Sequence, residues 1–191
     1  MQITEEQGQL LVKLARETIA RQLDDSRETG APGLVAQLQE PVFQQKSGVF
    51  VTLHKDGQLR GCIGSLLSSV SIVEGIIDNA INAAFKDYRF SPVSREEFAL
   101  IDLEVSILTE PVLLEYKDSD ELLSKLHRGV DGVIINEGGK GATFLPQVWE
   151  QLPDGALFLS HLCQKAGLSP DQWQHGALQV KTYQVRCFAE K

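Results

Sequence analysis

A cysteine set among glycines, Arg60-Gly61-Cys62-Ile63-Gly64, is the segment of this chain with the clearest capacity for chemistry. A thiolate is a nucleophile and a metal ligand, and the missing side chains beside it let a backbone or a ligand approach the sulfur. Side chains alternate along a strand, so Arg60 and Cys62 fall on one face, where a guanidinium would favour the thiolate. The plainer reading is a small buried hydrophobe whose glycines permit tight sheet packing, the usual fate of a free cysteine. Local pattern alone leaves both open.

A cysteine nucleophile needs a base. His54 precedes the turn Lys55-Asp56-Gly57, and a three-residue loop would pair Thr52 with Arg60 and Phe50 with Cys62. His54 would then face the same side as Cys62 but roughly 13 Å along the strands, too far to take its proton, and a two-residue loop would turn it to the other face. Among more distant residues, Asp87, His161 and Glu104 remain. Glu104 has the best argument, because Asp102, Glu104 and Ser106 share the polar face of the run Ile101 to Leu108, although that face also suits plain solvent.

Other polar residues carry ordinary explanations beside functional ones. Asp87-Tyr88-Arg89-Phe90-Ser91-Pro92 reads as a helix stop with a local ion pair and an extended exit before proline. Gln147 follows Pro146 at a turn, where its amide would bind a ligand or cap a short helix. Lys165 complements a helix dipole, and His127 and His175 have no partner pattern. Gly138-Gly139-Lys140-Gly141 lacks the spacing and the Ser/Thr of a phosphate loop, and Cys62, Cys163 and Cys187 stand too far apart for a zinc site. No cofactor and no metal is called for.

The elements that must position these residues follow from periodicity. Thr4-Glu5-Glu6-Gln7 is a capping box for a helix reaching about Leu23, and 24–47 reads as a long loop holding a short helix or edge strand. Residues 48–54 and 58–64 form a hairpin, about 69–86 a core helix, and Ser94-Arg95-Glu96-Glu97 a second capping box before the strand 101–108. A helix over 119–127, a hairpin of 130–136 with 142–145, a helix ending at Gly167 and a strand over 180–188 complete the chain. Without regular βαβ alternation, the fold class is α+β with a largely antiparallel sheet flanked by helices.

With 191 residues and 42% of them hydrophobic, the chain can bury roughly 70% of its unfolded surface in one domain or two small lobes. A net charge of −8 without a dense Lys/Arg cluster argues against nucleic acid as a partner. No apolar run approaches the roughly 20 residues of a membrane span, the first residues lack a signal-peptide pattern, and free thiols suit a reducing compartment. The expectation is a cytoplasmic protein with no membrane partner.

Leu59-Arg60-Gly61-Cys62-Ile63-Gly64 resembles a motif of the AMMECR domain family, and the likeness continues in order. It takes in Phe50-Val51-Thr52, Asp87-Tyr88-Arg89-Phe90-Ser91-Pro92, Leu103-Glu104-Val105-Ser106-Ile107-Leu108, Ala142-Thr143-Phe144-Leu145-Pro146-Gln147-Val148 and Lys165-Ala166-Gly167-Leu168 with Trp173. The short form is similar to protein A of the AmmeMemoRadiSam set. The resemblance implies one domain over 1–191 with no linker-bounded part, in a larger and a smaller lobe sharing a cleft near the Arg-Gly-Cys motif. It also implies functional association with a Memo-like protein and a radical SAM protein, and it implies no settled reaction. It raises the expectation that Arg60, Cys62, Asp87, Arg89, Glu104 and Gln147 converge. One reading is an enzyme on a small substrate, with Cys62 as nucleophile, Glu104 or Asp87 handling protons, and Arg60 or Arg89, with Gly61, Gly64 and Gln147, holding an anionic substrate. The other is a non-catalytic module binding a small molecule or a partner at the same place.

Overall fold

Helix α1 (Glu5–Leu23) starts at the capping box: the Thr4 hydroxyl accepts from Gln7 N, and the Gln7 side chain returns to Thr4 N. Its buried stripe is Leu11, Leu14, Ala15, Thr18 and Ile19, at the spacing of one helical face. The computed structural model describes residues 3–24, 32–35, 37–66, 69–175 and 178–190. Within the loop expected over 24–47 it places a short helix α2 (Pro32–Val35) and a bridge between Lys46 and Ser71; residues 25–31 and 36 lie outside the described residues.

Strands β1 (Val49–Lys55) and β2 (Gln58–Ser65) meet across two residues, Asp56 and Gly57, both with positive φ, 52° and 74°. That is the tight hairpin turn whose twist matches the strands. It replaces the three-residue loop that sequence reasoning used for the register. Lys55 lies opposite Gln58 and His54 opposite Leu59, then the ladder shifts by one residue at Arg60, so that Leu53 faces Gly61 and Thr52 faces Cys62. The bulge returns Cys62 to the Thr52 face.

Helix α3 (Ile72–Phe85) is capped by Ser71, whose side chain and Glu74 form another reciprocal box. Short helix α4 (Arg95–Phe98) follows Ser94, and strand β3 (Ile101–Leu108) lies antiparallel beside β1, with Glu104 opposite Thr52 and Asp102 opposite His54. The expected box at Ser94 is only half made. Ser94 Oγ accepts from Glu97 N, but the Glu97 carboxylate turns to Arg60 and Lys55 instead of the cap.

In the other part of the chain, strand β4 (Val112–Leu113), which the sequence pattern did not reveal, precedes helix α5 (Ser119–Lys125). That helix stops two residues before the expected His127, because Leu126 is extended and the buried Asp131 carboxylate takes the His127 N–H at 2.8 Å. Strands β5 (Gly132–Glu137) and β6 (Lys140–Phe144) form a hairpin, followed by helices α6 (Val148–Gln151) and α7 (Gly155–Lys165), the latter closed at Gly167 with φ 72° and a bond from Leu168 N to Cys163 O.

The last strand predicted, 180–188, is two: β7 (Gln179–Tyr183) and β8 (Val185–Ala189), which belong to different sheets. Gln184 between them is held by Thr109 through both its N–H and its C=O. The fold is α+β, built on two antiparallel four-stranded sheets with orders β2-β1-β3-β8 and β4-β7-β5-β6. Two compact units result, 1–108 with 186–191, and 109–185.

Each unit has its own core. In the first, α1 and α3 cover the sheet face bearing Val49, Val51, Leu53, Leu103, Val105 and Ile107. In the second, Trp149 stacks on Phe158 at 3.7 Å between centroids among Leu122, Val133, Ile135, Leu162 and Val180. Helix α3 sits so close to β2 that a side chain at Gly61 would stand 2.4 Å from the Ala83 carbonyl oxygen. Gly61→Ala therefore lowers stability by about 1–3 kcal/mol, since backbone cannot give way as a flexible side chain does. Urea unfolding measures it, and an unchanged midpoint would show that helix and strand are not this close.

Candidate functional site

Cys62 lies on β2, an edge strand of the first sheet. An edge residue presents an outward N–H and C=O that no strand pairs. Here both are taken by the segment that follows α3: Cys62 N donates to Asp87 Oδ2 at 2.9 Å, and Arg89 Nη2 donates to Cys62 O at 3.0 Å. Asp87 and Arg89 are themselves joined in a fork, Nε to Oδ1 at 2.9 Å and Nη2 to Oδ2 at 2.7 Å. Arg89 N adds a fourth bond to the carboxylate. The chain thus bites its own sheet edge at the cysteine.

This arrangement fixes what Asp87 can do. Its side chain is 2% exposed, and an ionised carboxylate offers about four acceptor sites. All are occupied. Hydrogen bonding from Arg89 is the largest influence holding its carboxyl far below the usual range, against the opposing effect of burial. Asp87 is expected from sequence as a proton-handling group; the structure places it on the main chain of Cys62 instead, and Arg89 with it.

Arg60 is likewise committed. Its guanidinium grips Glu97 through Nε and Nη2, each at 2.9 Å, and Nη2 also donates to Ser91 O at 2.7 Å. Lys55 reaches the same carboxylate at 3.2 Å, and Arg60 chiefly, with Lys55, brings the Glu97 carboxyl down to about 2. Lys55 leaves β1 on the side of Leu53, the core-facing side, so the Arg60 head group is drawn there and away from the thiol. The expected Arg60 guanidinium beside Cys62 is absent for this reason. Arg89 takes its place, near enough for its charge to couple with the thiol.

The sulfur itself faces the other side. Thr52 Oγ1 donates to Cys62 Sγ at 3.4 Å, and Glu104 lies across Thr52 on β3, two strand spacings or about 10 Å from Cys62 between Cα atoms. Ser106 Oγ donates to Glu104 Oε1 at 3.4 Å and meets Cys187 Sγ of β8 at 3.4 Å. Desolvation, then the Glu104 carboxylate, push the Cys187 thiol up even though its residue is exposed, with Ser106 opposing. The result is a row across four strands: thiol, hydroxyl, carboxylate with hydroxyl, thiol.

Register also moves His54. With Cys62 opposite Thr52, His54 is a diagonal neighbour on the same face, about 8 Å away instead of the 13 Å the longer loop implied. Among the described residues no hydrogen bond joins the two. Neither glycine of the motif opens onto a ligand: Gly61 admits the Ala83 carbonyl oxygen, and the place of a Gly64 side chain is filled by the Phe50 ring, 2.3 Å from where a Cβ would stand.

The remaining candidates belong to the second unit. Gln147 is exposed at the start of α6 and makes no side-chain cap, and His161 is exposed on α7. Lys165 does more than face a helix dipole, donating to Thr143 O at 3.0 Å over the Phe144 ring. His127 and His175 do have partners, Asp131 at 3.0 Å and Asp171 at 3.6 Å. A cavity of about 510 Å³ is lined by Leu113, Tyr116, Lys125, Leu178 and Val180. Several of its polar groups already satisfy one another, Tyr116 on Leu178 O, and Lys125 on Glu115 O and Glu121. Among the described residues no three His, Cys, Asp or Glu side chains are grouped to hold a metal ion.

A family model for AMMECR1 matches residues 12–188, taking in both units and every motif residue above. The chain belongs to the AMMECR1 family. Proteins of Methanosarcina acetivorans and Methanosarcina mazei are 43% and 42% identical over 190 residues, covering 99% of this chain and 94% of each relative. The crystal structure of an uncharacterized protein from Pyrococcus horikoshii matches with a TM-score of 0.81 at 36% identity, over 99% of this chain and 94% of that one. Two AMMECR1 motif residues, Thr52 and Ser106, and two residues outside the motifs, Glu97 and Cys187, have partners that spacing did not suggest. Thr52 was open to inference once the register was right; Glu97 was masked by its resemblance to a local cap.

The Asp87 clamp gives this AMMECR1 protein a distinct acid response. Ionised Asp87 stabilises the fold fully above the ordinary carboxylate value near 4, and the contribution drains away as pH falls from there toward the depressed native value. Asp87→Asn leaves Arg89 without its counter-charge, and because that side chain is 41% exposed, stability at pH 7 drops by about 1–3 kcal/mol. The gap between variant and parent narrows at pH 3. Denaturant midpoints at both pH values check this, and a gap of constant size would count against the clamp.

Proposed function

We propose that this AMMECR1 protein is an enzyme acting on a small molecule at the polar face of its first sheet, with Cys62 as the reacting group. The observation that carries the reading is the contrast at one residue: the Cys62 main chain is held at both N–H and C=O, while its thiol is half-buried on the Thr52 face. Fixing a nucleophile on a rigid strand removes orientational freedom before the reaction begins. Arg89 holds the Cys62 carbonyl oxygen, and Thr52 donates to the sulfur. A substrate lying over Thr52 and spanning about 10 Å meets the thiol with one end and the Glu104 carboxylate, as proton acceptor, with the other.

A second reading has its own support. The saturated Asp87 carboxylate and the Arg60 guanidinium bound to Glu97 leave Cys62 with a hydroxyl as its hydrogen-bonding neighbour, which suits a binding module that holds a small molecule or docks a partner without covalent chemistry. Part of either reading are a cytoplasmic setting and functional association with a Memo-like protein and a radical SAM protein. Three free cysteines support the reducing compartment, and no helix among the described residues is long and apolar enough to cross a membrane.

Alkylation of Cys62 by iodoacetamide as a function of pH separates the readings. The enzyme requires a thiol that reacts at least several-fold faster than a free cysteine near pH 7, and a Cys62→Ala protein that no longer reverses the metabolite changes of a deletion strain. A sluggish thiol together with full complementation by Cys62→Ala would abandon catalysis and leave binding.

A further inference from the structure

We infer that the Cys62 face recognises a cationic small molecule carrying a flat apolar group, such as an aryl-alkyl amine; this rests on the site proposed above. Each of the two arginines that would suit an anion is already paired with a carboxylate, although Arg60 Nη1 is buried without a partner and the Arg89 side chain is 41% exposed. Arg89 forms a fork with Asp87, and Arg60 forms one with Glu97, which Lys55 also binds on the core-facing side. On the thiol face of β1 and β3 the charges are Glu104 and Asp102, with the His54 ring opposite Asp102. Glu104 is half-buried, accepts from Ser106, and makes no ion pair among the described residues. A carboxylate in that state has capacity for a cationic donor, and partial burial strengthens the attraction.

The apolar half of the ligand follows from Phe50. It precedes Thr52 by two residues on the same face, opposite both Gly64 on β2 and Ser106 on β3. Its ring rests on Gly64, where any larger residue would collide, and the residue is half-buried, so part of it is open to a ligand. Aromatic faces attract cations as well as flat apolar groups. Ring, hydroxyl, thiol and carboxylate are therefore neighbours on one surface, and the ring and the carboxylate suit an amine with an aromatic part better than a phosphate or a carboxylate.

Labelling of the intact protein with methanethiosulfonates of different charge tests this, read at the Cys62 peptide by mass spectrometry. The Cys62 thiolate attacks the reagent sulfur, a mixed disulfide forms, and methanesulfinate leaves. The neutral methyl reagent reads accessibility alone: an inert Cys62 would overturn the proposed site and this inference with it. Given a reactive Cys62, the 2-aminoethyl reagent should react about tenfold faster than the 2-sulfonatoethyl reagent, after dividing by the same ratio for a free thiol. The ratio should fall at least threefold in Glu104→Gln and shrink at high salt. The benzyl reagent should outpace the methyl one on the same scale, and Phe50→Leu should remove that gain. A preference for the sulfonate, or a ratio indifferent to both Glu104→Gln and salt, would overturn the inference while leaving the proposed site standing.

Discussion

The free edge of β2 has to be closed, and the way it is closed organises the site. A strand with unpaired N–H and C=O groups invites pairing with another chain, and proteins commonly blunt such edges with charges or a covering segment. Here a single residue's edge groups are bound by one Asp–Arg pair at 2.9 and 3.0 Å. The pair is costly to bury, and it is tolerated because each partner satisfies the other and the strand satisfies both. It also stations the segment after α3 along the strand. Ser91 and Glu97 come within reach of Arg60, and Val93 N closes on Ala84 O. Residues far apart in sequence converge because the strand edge needed partners.

The bulge at Arg60 decides what kind of cysteine Cys62 is. With the two-residue turn and an unbroken ladder, Cys62 would lie opposite Val51, a wholly buried residue, and its thiol would point into the core under α3. It would then be the small buried hydrophobe that free cysteines usually are. One extra residue inverts the alternation beyond it, so Gly61 takes the core face, where only a hydrogen fits below Ala83, and Cys62 takes the polar face. The glycine and the cysteine of the motif are two consequences of a single register shift.

Features written in local chemistry were legible in the sequence: the reciprocal cap at Thr4, the alternation of Ile101 to Leu108, the turn at Gly167. Features decided by distant partners were not. Ser94 with Glu97 has the pattern of a capping box, yet an ion pair with two cations outweighs one more hydrogen bond to a cap. The run ending the chain has no Gly or Pro to mark its break at Gln184, because the break is imposed by Thr109. In the site, family resemblance brought Asp87, Arg89 and Cys62 together, but side-chain types could not reveal that two of the three act on a backbone. Glu104 was found by alternation alone, and the face it shares with Thr52 and Ser106 follows from the same rule.

Three carboxylates lie near the cysteine, and their different surroundings separate structure from chemistry. Asp87 is full, with four donors on two oxygens. Glu97 is shared between two cations and stays ionised down to about pH 2, where it serves to hold Arg60. A carboxylate whose lone pairs are satisfied by fixed cations is a poor base, because protonating it means breaking those bonds. Glu104 differs: its partners are a hydroxyl at 3.4 Å and a neighbouring thiol, and both can be displaced or turned without leaving a buried charge unpaired. Of the three, the carboxylate that no cation holds is the one on the sheet face opposite α1 and α3.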